Sequence, residues 1–407
     1  MQIPNKQLKI LSLFCLAVIL VGCQPAAQSG PQTEAVGVTN VATATSWPVL
    51  THTINTTPVD FQIVKKCVTY LPSSSANFMS TGSLLFEYHV SRNLMILEHA
   101  SREPASLFDE IGFFQFSPYD GTMFWSNNNY DTSEFYAEFL TPEGERLSIA
   151  LPRSLYFYGW LADGRIRLGV PKARRDNEKE DGSTVDEYYL LTPQTGELTY
   201  HSVNFPKRLS YYHDYVAYDP NNELVFMNNL VTAPGNAGIM SLGTEQFVWL
   251  TDHIIMGNRP EWKLDGSQAV YVAEGEIHSV ARSGNSGTLT QFSLAIDEYY
   301  NISVQNPAFS PDGRYMRLKM YRDQNPENTF LYIYDTATNT VYDYCVKPVI
   351  DGSPNAWAWS PHSDQIAFVR ADRTSILILN VLTGFAQSLV GSEGGIDSVN
   401  WVPWSMP

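Results

Sequence analysis

Short alternating strands separated by tight turns recur along most of this chain. The clearest example is the stretch 306–318, NPAFSPDGRYMRL, in which an apolar run ends at Phe309, the turn Ser310–Gly313 follows, and apolar and polar residues then alternate. In such a turn Pro fixes φ, Asp bonds the neighbouring backbone and Gly accepts a positive φ. Because alternating runs flank the turn, the stretch predicts a hairpin of two antiparallel strands.

Variants of this hairpin recur, and each is opened by an aromatic residue. The opening aromatics are 42 to 58 residues apart: Phe116, Trp160, Tyr218, Trp262, Phe309, Trp359 and Trp401. Most units contain a second hairpin, such as 330–344 (FLYIYDTATNTVYDY). Two hairpins per period make four strands, which is the content of one propeller blade.

The two ends of the repeat region complement each other. The last copy, Asn400–Trp404, has an inner strand and no blade after it, whereas the unit Ser83–Phe108 has outer strands and no clear opening copy. We therefore predict an all-β fold, a β-propeller of seven four-stranded blades in which the C-terminal strand completes the first blade. Such closure removes exposed sheet edges. Six or eight blades stay open as alternatives, because the strand candidate Val59–Leu71 has no place in this count.

The aromatic, Ser-Pro-Asp-Gly and alternating pattern resembles the TolB-type, WD-like propeller repeat. The resemblance covers about residues 80–404 and is closest around Trp262, Phe309 and Trp359. It is weaker at Trp160 and Tyr218, where the Ser-Pro is missing. It implies a propeller with a binding role and carries no enzymatic activity with it. The resemblance is to the repeat and not to whole TolB proteins, because no separate N-terminal α/β domain is visible.

The first residues predict export and a lipid anchor. Lys6 and Lys9 accompany an apolar run, Ile10–Leu20, that is too short to span a membrane as a mature helix. The following residues, Leu20–Cys23 (LVGC), resemble a bacterial lipoprotein lipobox, which is cut before the cysteine. This resemblance implies that Cys23 carries acyl chains such as palmitate. The alternative is an ordinary secretory signal with an unrelated cysteine.

We expect three parts in the chain: a lipoprotein signal peptide (1–22), a flexible tether from the lipidated cysteine (23–58) and a single propeller domain (59–407). The tether is rich in Ala, Thr, Gln, Gly and Pro. The expected location is extracytoplasmic, anchored to the bacterial cell membrane. Gln24 after the lipidated cysteine implies sorting to the outer membrane where the host has one.

Composition narrows the range of partners. Among the 407 residues 13% are aromatic and 17% charged, and the formal net charge is −16. Many aromatic residues favour strands, and few charges argue against coiled coils and disorder. Because nucleic-acid binding requires a positive field, the negative charge argues against nucleic-acid partners.

Two of the four cysteines remain for the folded domain. Cys15 lies in the signal peptide and Cys23 is the lipidation site, which leaves Cys67 and Cys345. In an oxidising compartment we expect these two to form a disulfide. Two separately buried thiols are the alternative, since free cysteines are often simply buried.

Catalytic and metal-binding motifs are not found in the sequence. It contains no GxSxG, HExxH or CxxC motif, and its eight histidines are scattered. We therefore expect no metal and no cofactor. The Asp-Gly turns, such as Asp312 and Gly313, lack the order of sialidase boxes and are interpreted as turn formers. Six of the opening aromatics are interpreted as residues that pack between blades: Phe116, Trp160, Trp262, Phe309, Trp359 and Trp401.

The predicted binding surface is formed by loops that the repeats do not share. Loops between hairpins and between blades lie on one face of a propeller, and two of the loops between blades are rich in Tyr, which offers contact area and a polar tip at low entropic cost. The candidate binding residues are Tyr211, Tyr212, His213, Asp214, Asp297, Glu298, Tyr299 and Tyr300.

Three functions fit these residues. The first is a scaffold that binds a protein or peptide at the loop-rich face. The second is a carbohydrate or cell-wall binding module that stacks aromatic rings on sugars. The third is a glycan hydrolase or lyase with carboxylates at the mouth of the central channel on the loop-rich face. Asp214, Asp297 and Glu298 are the candidates.

Lipidation can be tested by metabolic labelling with an alkyne analogue of palmitate. We expect Cys23→Ser to abolish labelling, because the acylated sulfur is lost. Cys15→Ser serves as the matched control and keeps the label, since that cysteine leaves with the signal peptide. Labelling of the Cys23→Ser protein at the level of the unmodified chain would contradict the lipobox prediction.

Overall fold

The computed structural model describes sixteen stretches of the propeller region. They are 62–72, 79–99, 101, 103–109, 114–129, 133–171, 184–205, 216–229, 236–251, 260–273, 276–283, 286–289, 303–322, 325–349, 356–391 and 395–404. All of them belong to the compact unit Val49–Pro407. The predicted signal peptide, the lipidation site Cys23 and the tether lie outside the described residues.

The described strands form seven sheets, each with four antiparallel strands, and are numbered in chain order. Blades 1 and 2 contain, from the inner strand outward, β30 (Ile396–Val402), β3 (Ser83–Tyr88), β4 (Leu94–Glu98) and β5 (Ala105–Phe108), then β6 (Phe114–Phe116), β7 (Met123–Asn129), β8 (Glu134–Leu140) and β9 (Arg146–Leu151). Blades 3 and 4 contain β10 (Tyr156–Trp160), β11 (Ile166–Gly169), β12 (Thr184–Thr192) and β13 (Glu197–Phe205), then β14 (Val216–Tyr218), β15 (Leu224–Asn229), β16 (Asn236–Ser241) and β17 (Phe247–Thr251).

The remaining blades follow the same plan. Blade 5 contains β18 (Glu261–Trp262), β19 (Gln268–Ala273), β20 (Glu276–Ala281) and β21 (Ser286–Thr288). Blades 6 and 7 contain β22 (Ser303–Phe309), β23 (Tyr315–Arg322), β24 (Asn325–Asp335) and β25 (Thr340–Asp343), then β26 (Trp357–Trp359), β27 (Gln365–Val369), β28 (Ser375–Asn380) and β29 (Phe385–Gly391). Blades 6 and 7 each carry a fifth outer strand, β1 (Gln62–Lys65) and β2 (Thr69–Tyr70).

Blade 1 is closed by strands from the two ends of the chain. The C-terminal β30 pairs with β3 in antiparallel register, with Leu84 opposite Trp401 and Phe86 opposite Val399. The Trp401 indole donates to the carbonyl of Thr81 at 2.8 Å. The predicted all-β propeller of seven blades, closed by the C-terminal strand, is therefore confirmed.

Hydrophobic clusters fill the spaces between neighbouring blades. Met316 and Leu318 of β23 pack with Val270 of blade 5, whereas Tyr315 faces the other way and packs with Phe368 of blade 7. Alternating side chains of one strand thus serve two interfaces. Each fully buried side chain of this size stabilises the fold by about 1.5–3 kcal/mol.

Residues 62–71 form an N-terminal strap along the outer edges of blades 6 and 7. β1 pairs in parallel with β25, and β2 pairs in parallel with β29. Val59–Leu71 was predicted as one strand without an assigned blade. Its described residues, 62–71, instead form two short strands that join blades 6 and 7 and add no blade. The outer edges of two blades offer unpaired backbone groups, and the strap satisfies them.

The strap is held to blade 6 by a covalent bond and by Lys66. Cys67 is bonded to Cys345, with their Cα atoms 4.8 Å apart. The Lys66 ammonium donates to the carbonyl of Val381 at 3.1 Å and lies 5.0 Å from the ring centroid of Tyr342. Lys66 therefore contacts both blades at the point where the strap crosses between them.

The described residues include no helix with the length and apolar character needed to span a membrane.

Gly82 tests the closure of blade 1. Its φ is +73°, and a Cβ atom there would lie 2.1 Å from the carbonyl oxygen of Val402 on β30. We expect Gly82→Ala to lower the free energy of unfolding by about 2–4 kcal/mol, measured by urea denaturation. At the matched control Gly243 no atom lies within 4 Å of an added Cβ, and Gly243→Ala should change it by less than about 0.5 kcal/mol. Equal effects of the two substitutions would contradict the close approach of Gly82 to β30 at the seam, which is the pairing of β30 with β3 that closes blade 1.

Candidate functional site

A cavity of about 390 Å³ lies where the inner strands of five blades end. We call it the channel mouth, because the inner strands of a propeller surround its central channel. Its apolar wall consists of the aromatic side chains Phe116, Tyr119, Trp262, Phe309, Trp357, Trp359 and Trp401 and the prolines Pro118, Pro311, Pro361 and Pro403. It opens on the face formed by the turns that join the first and second strand of each blade.

Those turns are fixed by short polar side chains. In blade 6 the Ser310 hydroxyl accepts from the backbone N–H of Tyr315 at 2.9 Å, and the Asp312 carboxylate accepts from the N–H of Arg314 at 3.0 Å. The N–H of Asp312 also donates to the Ser363 hydroxyl at 3.0 Å, which joins the turns of blades 6 and 7. The Asp residues are therefore turn formers, as the sequence indicates.

The opening aromatics have two roles. Five of the six residues that the sequence assigns to packing between blades also line the channel mouth: Phe116, Trp262, Phe309, Trp359 and Trp401. The Trp262 indole, for example, donates to the carbonyl of Ala217 in the neighbouring blade at 2.9 Å. The ends of the inner strands converge on one axis. The aromatic residue at the end of each inner strand is therefore the sequence feature that could have indicated this site.

Tyr119 crosses the mouth from blade 2 to blade 5. Its hydroxyl donates to the carbonyl of Leu264 at 3.4 Å. Burial, with smaller contributions from Asp219 and Asp163, raises the pKa of Tyr119 to about 12. The phenol therefore stays protonated at neutral pH and remains a hydrogen-bond donor.

Charge at the channel mouth is sparse. Glu261 is the one charged side chain among the described residues that line it. The guanidinium of Arg317 lies behind the wall, 5.2 Å from the ring centroid of Trp357. Burial lowers the pKa of Arg317 to about 10, and the charge of Glu261 opposes this shift. The mouth is thus a largely apolar pocket with one carboxylate that is partly compensated.

The described part of the mouth does not present a pair of carboxylates. Glycosidases need two carboxyl groups, about 5–9.5 Å apart. The described residues also include no group of three or more His, Cys, Asp or Glu side chains that could hold a metal ion. The sequence candidates Tyr211, Tyr212, His213, Asp214, Asp297, Glu298, Tyr299 and Tyr300 lie outside the described residues.

A buried cation lies between blades 3 and 4. Arg167 is 1% exposed, and its guanidinium lies 3.4 Å from the ring centroid of Tyr218 and 4.2 Å from that of Tyr188. None of its side-chain nitrogens has a hydrogen-bond partner among the described residues. Burial lowers the pKa of Arg167, whereas nearby groups, Asp186 among them, oppose that shift. The Tyr218 hydroxyl donates to Asp186, which is itself buried.

We interpret this cluster as structural, because the cation is buried, lies against two aromatic rings and is compensated by the buried carboxylates of Asp186 and Asp219. Arg167 was not among the residues that the sequence indicated as functional. Its one signal was a cation within the apolar strand β11, and such a residue cannot be assigned a partner without the neighbouring blade.

The Arg167 cluster predicts a specific double-mutant result. Asp186→Asn should lower the free energy of unfolding by about 3–5 kcal/mol, because it removes the larger of the two carboxylate contributions that compensate a buried cation. Adding Arg167→Met should recover at least about half of that loss, since it removes the cation as well. Urea denaturation of the two single variants and the double variant measures this. A double variant as unstable as the sum of the single ones would contradict the pairing.

No protein-family model matches this chain, and no curated protein matches it. Among solved structures, the periplasmic gluconolactonase PpgL of Pseudomonas aeruginosa is 16% identical, with a TM-score of 0.50 over 81% of this chain and 100% of that chain. TolB of Acinetobacter baumannii is 15% identical, with a TM-score of 0.44 over 80% of each chain. A putative 6-phosphogluconolactonase of Bacteroides fragilis is 16% identical, with a TM-score of 0.45 over 82% of this chain and 99% of that chain. At such identities the likeness shows the fold alone, which is a propeller.

Proposed function

We propose that this chain is a lipid-anchored, extracytoplasmic propeller that binds a protein or peptide at an end of its central channel. The observation that carries this proposal is the channel mouth, a cavity of about 390 Å³ walled by aromatic and proline side chains. Its volume lies at the lower end of the range for ligand pockets, about 300–1,000 Å³. It suits one or two side chains of a bound peptide, held within an apolar wall and oriented by Tyr119 and Glu261.

The packing of the aromatic rings favours a peptide over a sugar. Sugar rings bind to open aromatic faces, but the Trp357 ring stacks on Phe368 at 5.4 Å and contacts the Arg317 guanidinium. The Trp359 ring stacks on Tyr315 at 6.3 Å. At least one face of each of these two rings is already covered within the protein, which leaves less open aromatic surface for a sugar ring.

The single carboxylate of the mouth favours binding over hydrolysis. Glu261 has no second carboxylate beside it in the described lining, and general acid and base work on a glycan uses two. The hydrolase or lyase hypothesis therefore depends on Asp214, Asp297 and Glu298, which belong to the opposite, loop-rich face by sequence.

Two features support an extracytoplasmic, lipid-anchored location. The lipobox at Leu20–Cys23 resembles that of bacterial lipoproteins. The bond between Cys67 and Cys345 fits an oxidising compartment, where disulfides persist. The Tyr-rich loops with Tyr211, Tyr212, Tyr299 and Tyr300 remain a second candidate surface for the same partner.

Site-specific photo-crosslinking tests the proposal and locates the surface. p-Benzoylphenylalanine replaces Tyr119 or Pro403 at the mouth, and Tyr211 or Tyr299 in the loops, one site per protein. We expect one partner to be captured from intact membranes at the mouth sites, because a bound peptide would lie within reach of both.

The controls are two exposed aromatics on outer strands, Tyr200 and Phe385. Capture at these positions at the same yield would mean non-specific contact. Capture at the loop sites alone would move the binding surface to the opposite face. Failure to capture a protein or peptide at either face would contradict the proposed function.

A further inference from the structure

A second cavity, of about 310 Å³, lies beside the bond that fastens the N-terminal strap. Its lining includes Tyr70 of the strap, Cys345, and the two basic side chains Lys347 and Arg370. Asp372 is the one acidic residue in the described lining, and its carboxylate lies 3.6 Å from the Arg370 guanidinium. The disulfide thus borders a space large enough for a small organic molecule or a peptide side chain.

The strap lies on the surface and buries little. Cys67, Thr69 and Tyr70 are exposed, and only Ile63 and Val68 pack against the hydrophobic clusters of the blades. Two partly buried aliphatic side chains contribute at most about 1.5–3 kcal/mol each. Apart from these side chains and the contacts of Lys66, the short parallel strands depend on the covalent bond to stay in place.

Three basic residues of this acidic protein lie next to the disulfide in the chain or line the cavity beside it. Lys66 precedes Cys67, and Lys347 and Arg370 share the cavity with Cys345. A cation near a cysteine stabilises its thiolate, which is the leaving group when a disulfide is attacked. Asp343, whose carboxylate accepts from the N–H of Cys345 at 2.8 Å, is the acidic group that opposes this effect.

We propose that this cavity is where an external dithiol attacks the Cys67–Cys345 disulfide, and that reduction there releases the strap from blades 6 and 7. The attacking thiolate bonds to the Cys345 sulfur, and the Cys67 thiolate leaves and takes up a proton. The second thiol of the dithiol then displaces the Cys345 thiolate. Two electrons pass from the dithiol to the protein, which gains two thiols while the dithiol becomes a cyclic disulfide.

Release of the strap has a structural consequence. The N–H groups of Lys66 and Val68 donate to the carbonyls of Asp343 and Tyr344, and that of Leu71 donates to Ala386. Without the strap these carbonyls, and the outer edges of β25 and β29, become open to an added strand of another molecule. The disulfide would then control whether two blade edges are covered.

Hydrogen exchange under native conditions tests the release. With dithiothreitol as the dithiol, we expect both cysteines to become alkylatable without denaturant. The amides of Lys66, Val68 and Leu71 should then exchange at least about 10-fold faster, while those of the buried β28 stay unchanged. A disulfide that is reduced only in denaturant, or reduction that leaves strap exchange unaltered, would overturn the proposal. So would two cysteines that are freely alkylated before reductant is added, because the proposal rests on their pairing.

A charge variant tests the attack site. Lys347→Gln with Arg370→Gln should slow reduction by dithiothreitol at neutral pH by about 3- to 10-fold, because the cavity then no longer attracts the attacking thiolate and no longer stabilises the Cys345 thiolate that leaves in the second step. Arg153→Gln, an exposed cation away from the cavity, is the matched control and should leave the rate unchanged. Equal rates in the double variant and the control would overturn the role of the cavity. Cys67→Ser with Cys345→Ser should show the fast strap exchange without reductant, and a protected strap in that variant would overturn the release.

Discussion

The pairing of β30 with β3 is the interaction on which the rest of the structure depends. Six blades are built from consecutive strands, but blade 1 joins residues more than 300 positions apart, Leu84 opposite Trp401 among them. Without that pairing the ring would end in two open edges and the inner strands would have no common axis. The seam is therefore what places the inner-strand aromatics of five blades around one cavity. Its tolerance is small, since the backbone of Gly82 leaves no room for a single methyl group beside Val402.

The strap adds a second, covalent link between distant parts of the chain, since Cys67 and Cys345 are 278 residues apart. The strap joins the outer strands of two blades at the rim, whereas the seam joins the two innermost strands of blade 1. The two links therefore constrain different parts of the propeller. Blades 6 and 7 gain a fifth strand from the strap. The strap thus combines edge protection, which a folded ring of blades needs at its rim, with a bond that responds to the redox state of the compartment.

The repeat period made most of the fold predictable. Most blades are marked in the sequence by an aromatic residue, a turn with Ser-Pro or Asp-Gly, and an alternating strand. The complementary ends, Ser83–Phe108 and Asn400–Trp404, even predicted the seam. The sequence indicated a strand at Val59–Leu71 but not its place on the blades. β1 and β2 have four and two residues, lie mostly exposed and pair through backbone groups, which leave no side-chain pattern that reveals their partners. The channel mouth was missed for a different reason. Its aromatics were interpreted only as packing residues, although the convergence of inner strands brings their edges together in one cavity. Arg167 depends on Tyr218 of another blade, a partner that no local pattern reveals.

Our central proposal is that the ring of seven blades creates an apolar channel mouth and that this mouth binds part of another protein. Fluorine NMR of protein labelled with 5-fluorotryptophan tests this most directly, with resonances assigned by single Trp→Phe variants. On addition of the purified partner, the signals of Trp357 and Trp359, which line the mouth, should shift. The signal of Trp160, which packs with the cluster between blades 2 and 3, should not. Binding that shifts the signal of Trp160 and leaves the signals of Trp357 and Trp359 unchanged would contradict binding at the channel mouth.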